Sequence, residues 1–329
     1  MRPPRLSGRP LLTNRIDREL FVDREVELRR IAGALAGGLN CAITGEPGMG
    51  RTSLLHRALA AEDGPTLLIG GGAVTDATDL LDRIIAKLAD TGRQPTPVAA
   101  DPDPVLDRIA ALRGRIGPDR PVIAIDDVPP AAGVDLFGRY RDDLWTVPAT
   151  WLVTVSSAHA GLLLRPPADV FFEVRIDLPA LSDDGSEALL RRRIGDESGW
   201  DPEPVVRVAQ GNPRRLIALA RQLRQADPEQ RTAAADRLAT SAATLAGMSV
   251  PARMLAAELE AVGSASASDP VLQQRLGWTR SRIVQVLKEL QAAGLVTATD
   301  ERSGPGRPRK VYRPTDPASS EASARLSRS

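Results

Sequence analysis

The stretch from Leu39 to Ser53 restricts this chain more than any other. An apolar run, Leu39 to Thr44, leads into Gly45-Glu46-Pro47-Gly48-Met49-Gly50-Arg51-Thr52-Ser53, and a helical pattern follows to about Ala61. A strand that turns through glycines into a helix leaves successive backbone N–H groups curled around one point. The positive end of the helix faces that same point. In this strand-to-helix context G-x-x-x-x-G-[KR]-[ST] reads as a phosphate-binding loop, with the Thr52 hydroxyl available to Mg2+. The alternative is a glycine-rich turn of no consequence, and a pair of carboxylates downstream argues against it.

Those carboxylates close the run Pro121-Val122-Ile123-Ala124-Ile125-Asp126-Asp127. Such an apolar run suits the centre of a parallel sheet, buried on both faces. Ligands of open α/β sheets bind beside the carboxyl ends of the strands. There Asp126 can hold Mg2+, and Asp127 can orient or deprotonate an attacking water. The alternative is that one caps a helix or faces solvent. Further strands are expected over 65–69, 150–155 and 170–178, with helices over 25–36, 79–90 and 105–116 between them. Strands alternating with helices predict a doubly wound α/β domain.

The organisation expected is a flexible arm over 1–19 and a nucleotide-binding α/β domain over 20–180. A helical lid follows over 181–240, then a module of three helices and two strands over 241–313, and a polar, disordered tail over 314–329. The four prolines of Thr91 to Pro104 mark a surface loop.

Arg51 stands where such loops ordinarily carry lysine. Arginine keeps the charge but is longer, planar and forked, so it is not an equivalent. Arginines are 40 of the 43 basic residues; only Lys87, Lys288 and Lys310 are lysines. With abundant Ala and 3% aromatics this suits a GC-rich bacterial genome. Codon bias does not account for a change at a position performing lysine's task. The expectation is ATP-Mg2+ binding with weak turnover, Arg51 and Asp127 being the candidate catalytic pair.

Phe21-Val22-Asp23-Arg24-Glu25-Val26-Glu27-Leu28 resembles a segment of AAA+ ATPases related to the origin-recognition initiators, and of STAND signalling ATPases. In those families it packs beside adenine, which implies a nucleotide role for Arg24. Gly211-Asn212-Pro213-Arg214-Arg215-Leu216 resembles their lid segment. The resemblance implies Pro213 near the base and Arg214 or Arg215 as a sensor on the phosphates. It also places Ser156 or Ser157 in the sensor-1 region and Arg165 near an arginine finger. The Asp126-Asp127 pair is closer to the STAND pattern than to the Asp-Glu of AAA+ proteins. The resemblance covers about residues 20–237.

Residues 269–313, which open on Asp-Pro-Val-Leu-Gln-Gln-Arg-Leu-Gly-Trp-Thr and pass through Gly294-Leu295-Val296, resemble the helix-turn-helix core of MarR-type and related winged-helix regulators. Gly277 serves the turn and Thr279 caps the second helix. Ile283, Val286, Leu287 and Leu290 form its core stripe. Arg280, Ser281, Arg282, Gln285 and Lys288 remain on the other face, for the major groove of double-stranded DNA. Arg307, Arg309 and Lys310 form a basic wing. Residues 270–313 hold nine Lys/Arg and three acids, a local +6, so in a chain of net charge +1 the remainder sums to −5. A basic module on a mildly acidic body fits a phosphate backbone. The alternative is a winged helix for protein contacts with a solvated basic face.

Some classes fall away. One cysteine, Cys41, permits no disulfide framework and suits a reducing compartment. With His56 and His159 the only histidines, a histidine-based metal site is not expected. No apolar run reaches the roughly 18–20 residues that span a bilayer, so a cytoplasmic or nucleoid-associated protein without membrane contact is expected. Trp145, Trp151, Trp200 and Trp278 fall in different elements and read as packing anchors rather than a base-stacking platform. The leading function is an ATP-switched DNA-binding protein. One competing class is a STAND-type signalling or defence ATPase that forms homo-oligomers on ATP. Another is a winged-helix regulator without nucleotide.

Overall fold

A computed structural model describes residues 6–89, 101–117, 119–195, 201–225, 231–301 and 309–315. Most of the expected 91–104 loop, Arg307 and the tail beyond Thr315 lie outside the described residues. The chain gathers into two compact units, one of Pro10–Pro179 and one of Ala180 onward together with the residues before Pro10.

The first unit opens with α1 (Arg15–Leu20), within the segment expected to be a loose arm. The polar sequence hides what orders it. The Asn14 side chain caps the helix by accepting the Asp17 amide at 3.0 Å. Asp17 is fully buried, and its carboxylate accepts the Leu12 amide at 2.9 Å and the Asn14 Nδ2 at 2.7 Å. A buried carboxylate must be satisfied in this way, and here it binds the arm to itself. Then follow α2 (Glu25–Ala36), β1 (Cys41–Gly45), α3 (Arg51–Leu59), β2 (Thr66–Gly70), α4 (Ala77–Ala89) and α5 (Pro104–Arg115). After them come β3 (Val122–Asp126), α6 (Pro130–Val134), α7 (Arg141–Leu144), β4 (Thr150–Ser156), α8 (Ser157–Leu163) and β5 (Val174–Asp177).

The five strands form one parallel sheet in the order β2-β3-β4-β1-β5. Side chains alternate across it, as strand geometry requires. Ala42, Ile123, Ile125, Trp151, Val153 and Val155 face the core shared with α4 to α8. Cys41, Ile43, Val122, Ala124 and Leu152 face α2 and α3. Coverage of both faces explains why β1 and β4 are buried throughout. Burial also pushes the Cys41 thiol up to about 12.

The fifth strand is shorter than expected. Residues Ala168–Phe171 form a 3-10 turn, and pairing with β1 begins only at Val174. The apolar residues that suggested a strand serve packing instead. The Phe171 and Phe172 rings lie 5.2 and 4.9 Å from that of Phe137, next to Trp151.

The second unit contains α9 (Asp183–Ile194), α10 (Glu203–Ala209), α11 (Pro213–Gln225), α12 (Arg231–Ala246), α13 (Val250–Val262), α14 (Pro270–Leu276) and α15 (Arg280–Ala292). An antiparallel hairpin of β6 (Val296–Glu301) and β7 (Arg309–Pro314) closes it, and Ala265 bridges to Tyr312. α12 runs through residue 240, so the expected lid boundary there is not a break in the chain. Alanines and threonines continue the helix until Gly247. Pro314, expected to begin the tail, ends β7, and the Thr315 amide donates to the Leu295 carbonyl at 3.0 Å. Ile283, Val286, Leu287 and Leu290 are all fully buried on one face of α15, packed with Leu255, Leu259, Leu272 and Leu276. Each contributes on the order of 1.5–3 kcal/mol by leaving water. Among the described residues no helix is long and apolar enough to cross a membrane.

Candidate phosphate site and basic surface

The loop between β1 and α3 is shaped by two left-handed residues, Gly48 at φ +87° and Gly50 at φ +94°. A side chain at either would be strained. The Met49 amide donates to the Glu46 carbonyl at 3.2 Å and closes the turn. Gly50 precedes α3 without any side-chain cap. The first amides of α3, at Arg51, Thr52 and Ser53, thus have no intrahelical acceptor and point to one place. Glu46 is exposed, while Pro47 to Ser53 are half-buried. Gly45, at the end of β1, lies in register with Ser156 at the end of β4.

Four expected site residues meet here. Thr52 Oγ1 donates to the Asp126 carboxylate, 2.9 Å from Oδ2 and 3.1 Å from Oδ1. Arg51 Nη1 lies 3.4 Å from Asp127 Oδ1. Asp127 sits at φ +61°, where the chain leaves β3. Gly71 makes that exit possible, since a Cβ there would come within 2.1 Å of the Asp127 carbonyl oxygen.

Two further expected residues make other side-chain contacts. The Ser53 hydroxyl accepts the Leu11 amide at 3.0 Å, which fastens the N-terminal arm to α3. Arg24, left-handed at φ +76° and buried, donates through Nη2 to the Pro179 carbonyl at 2.7 Å, with Glu27 3.7 Å from Nη1. Burial lowers its guanidinium below the ordinary range, against the pull of Glu27 and Asp23. Its placement supports the backbone after β5. Ser156 is buried at the end of β4; Ser157 is exposed at the start of α8, and Arg165 is exposed after it.

Pro213, Arg214 and Arg215 belong to the second unit. The Asn212 side chain accepts the Arg214 and Arg215 amides at 3.1 and 3.2 Å, so Asn212 caps α11 and Pro213 takes its first position. Arg215 Nε faces Glu260 Oε2 on α13 at 3.9 Å. Burial raises the Glu260 carboxyl above its usual range, and Arg215 and Arg214 partly offset this. Its side chain keeps 38% exposure, because it lines a cavity of about 230 Å³ between these helices.

Sequence reasoning missed Thr154. Its hydroxyl, wholly buried on β4, donates to Asp126 Oδ1 at 2.8 Å and accepts the Asp127 amide at 2.7 Å. The signal was present: a hydroxyl inside an apolar central strand needs a polar partner.

On α15, Thr279 caps the helix by accepting the Arg282 amide at 3.4 Å, and Gly277 turns the chain before it at φ +67°. Arg280, Arg282, Gln285 and Lys288 are all exposed opposite the buried stripe. Arg282 Nη1 donates to Gln285 Oε1 at 2.8 Å. Arg309 and Lys310 are exposed on β7, with Arg309 3.8 Å from Asp269 and Lys310 5.9 Å above the Tyr312 ring.

No protein-family model matches the sequence, and no curated protein does. Similar solved structures exist. A Walker-type ATPase of Pyrococcus abyssi shares 16% identity over 95% of this chain and 97% of that one, with a TM-score of 0.50. Cdc6p from Pyrobaculum aerophilum shares 14% over 93% and 96%, at 0.48. Orc1 of Aeropyrum pernix, solved in complex with DNA, shares 19% over 93% and 94%, at 0.47. At such identities likeness speaks of fold alone, and with its parallel sheet and glycine loop the chain has the fold of a P-loop ATPase.

Proposed function

We propose that this is a DNA-binding ATP switch: loop 45–53 holds ATP-Mg2+, turnover is slow, and nucleotide state governs DNA binding or self-assembly. The observation that carries the reading is the meeting of Arg51, Thr52, Asp126 and Asp127 at the carboxyl ends of β1 and β3. The protein of similar fold from Pyrococcus is a Walker-type ATPase, which agrees.

The donor set fits Mg2+. It offers a carboxylate and a hydroxyl, hard oxygen ligands, beside a phosphate cradle. Among the described residues no group of three or more His, Cys, Asp or Glu forms a full metal cage. Mg2+ ordinarily takes its other ligands from phosphate and water. When bound, Mg2+ would neutralise phosphate charge.

Slow turnover finds support in the Arg51–Asp127 contact. The charge meant for phosphate and the carboxylate meant for water face each other. With Asp127 46% exposed the pair adds little stability. Its consequence is positional: a nucleotide must draw Arg51 away before Asp127 is free to act.

The C-terminal module is proposed as a winged helix-turn-helix that lays the exposed face of α15 in the major groove and Arg307, Arg309 and Lys310 along the backbone. Arg214 and Arg215 are proposed to sense nucleotide from the lid. A cytoplasmic, nucleoid-associated place follows from a DNA partner. Calorimetric titration with ATP-Mg2+ and a phosphate-release assay test the first half. Arg51→Ala should weaken binding by about 1.5–3 kcal/mol through loss of a charge-assisted contact. Arg51→Lys should keep binding and raise turnover, since a compact charge frees Asp127. No binding at millimolar ATP would leave the α/β unit a scaffold. If DNA affinity is the same in ATP, ADP and no nucleotide, there is no switch.

A further inference from the structure

The site's two carboxylate residues differ from ordinary strand-end aspartates in how they are held. β3 stays in register with β4 through Ile125 opposite Val153, and the next residue of β4 is Thr154. There β3 peels away. The Asp127 amide turns onto the Thr154 hydroxyl at 2.7 Å, and the Val128 amide reaches the Thr154 carbonyl at 3.0 Å. One residue therefore receives both amides released at the end of the ladder. The hydroxyl proton is directed to Asp126 Oδ1 at 2.8 Å, because the Asp127 amide can only donate and an ionised carboxylate can only accept.

The geometry points to Thr154 as the positioning residue for both carboxylates, fixing Asp126 for the metal and Asp127 in its left-handed conformation; this rests on the nucleotide reading above. Asp126 Oδ1 takes hydroxyl protons from Thr52 and Thr154, while Oδ2 takes only Thr52. Thr154 comes from the buried strand and Thr52 from the phosphate loop. Were Thr52 to turn its lone pairs to a cation, Thr154 would still hold Asp126 in place. Serine retains this chemistry. Valine, of the same shape, removes it and leaves the Asp127 amide without its acceptor.

The test compares Thr154→Val and Thr154→Ser with the native full chain. ATP affinity is measured by calorimetry with Mg2+ and with chelator, alongside thermal unfolding. T154V should lose roughly tenfold in ATP affinity with Mg2+, little with chelator, and T154S should restore it. Equal losses in both conditions would show that Thr154 only supports the fold, and no loss in either would remove the role altogether. Amide exchange at Asp127 in the native chain decides the matter even if T154V does not fold. It should be slow with Thr154 as acceptor, and free exchange overturns the assignment. Failure of the native chain to bind ATP-Mg2+ would instead overturn the nucleotide reading, and this inference with it.

Discussion

The phosphate loop and α15 are both polar surfaces built on apolar supports, but their polar groups are held in opposite ways. At the loop, Thr52, Asp126, Asp127 and Thr154 are fixed by contacts with one another, and Thr154 is wholly buried. On α15 the buried stripe fixes the helix, while Arg280, Arg282, Gln285 and Lys288 stand in solvent, with one contact between Arg282 and Gln285. The first arrangement suits a small ion and a phosphate, whose geometry demands preorganisation. The second suits a long polyanion, where flexible arginines and lysines settle on whatever backbone arrives. In the first region a single atom matters; in the second, the sum of charge does.

The largest effect should come from breaking the support of the second region. Leu287→Ala removes a wholly buried side chain and should cost about 2–5 kcal/mol. Chemical unfolding should show this loss and DNA binding should disappear, while ATP-Mg2+ affinity holds. A parallel loss of nucleotide affinity would mean that the two regions do not stand on separate supports.

Next is charge. The triple change Arg280→Glu, Arg282→Glu and Lys288→Glu should leave stability within about 0.5 kcal/mol, since all three residues are exposed. DNA affinity should fall at least about a hundredfold, with a shallower salt dependence. Reversal at Arg309 and Lys310 should weaken all sequences alike and by less. Unchanged affinity in titrations at two salt concentrations would refute the α15 surface.

The smallest effect concerns acid. Asp103 caps α5, and its carboxyl lies below the ordinary range because it accepts the Val105 amide, the Tyr140 hydroxyl and the Leu106 amide. A lowered carboxyl contributes stability above its unfolded value, and that contribution is lost as pH falls through the folded one. Asp103→Asn should therefore flatten the acid limb of the α/β unit's unfolding profile below about pH 4. It should leave DNA binding unchanged at neutral pH.

The loop, the Asp126-Asp127 pair and the α15 stripe were legible because each couples a residue pattern to one backbone period. Elements held by tertiary polar contacts were not. α1 depends on the buried carboxylate of Asp17, which from sequence looks like one more surface acid. Phe171 and Phe172 read as strand because aromatic core and central strand share a composition. α12 lacks a clear period, so nothing in its alanines and threonines marks that it passes residue 240. Arg24 and Ser53 carry contacts that their residue types do not announce: Arg24 donates to the Pro179 carbonyl, and the Ser53 hydroxyl accepts the Leu11 amide.

The buried sulfur of Cys41 has a practical consequence. Its thiol is fully enclosed on β1, and burial pushes it up to about 12, so thiol-reactive dyes will pass over the native chain. A cysteine placed at exposed Ser281 or Lys288 then becomes the one labelling position on an otherwise silent protein. Slow labelling of Cys41 itself becomes a clock for transient opening of the central sheet. Saturating ATP-Mg2+ should slow that clock in proportion to how tightly the closed sheet holds it.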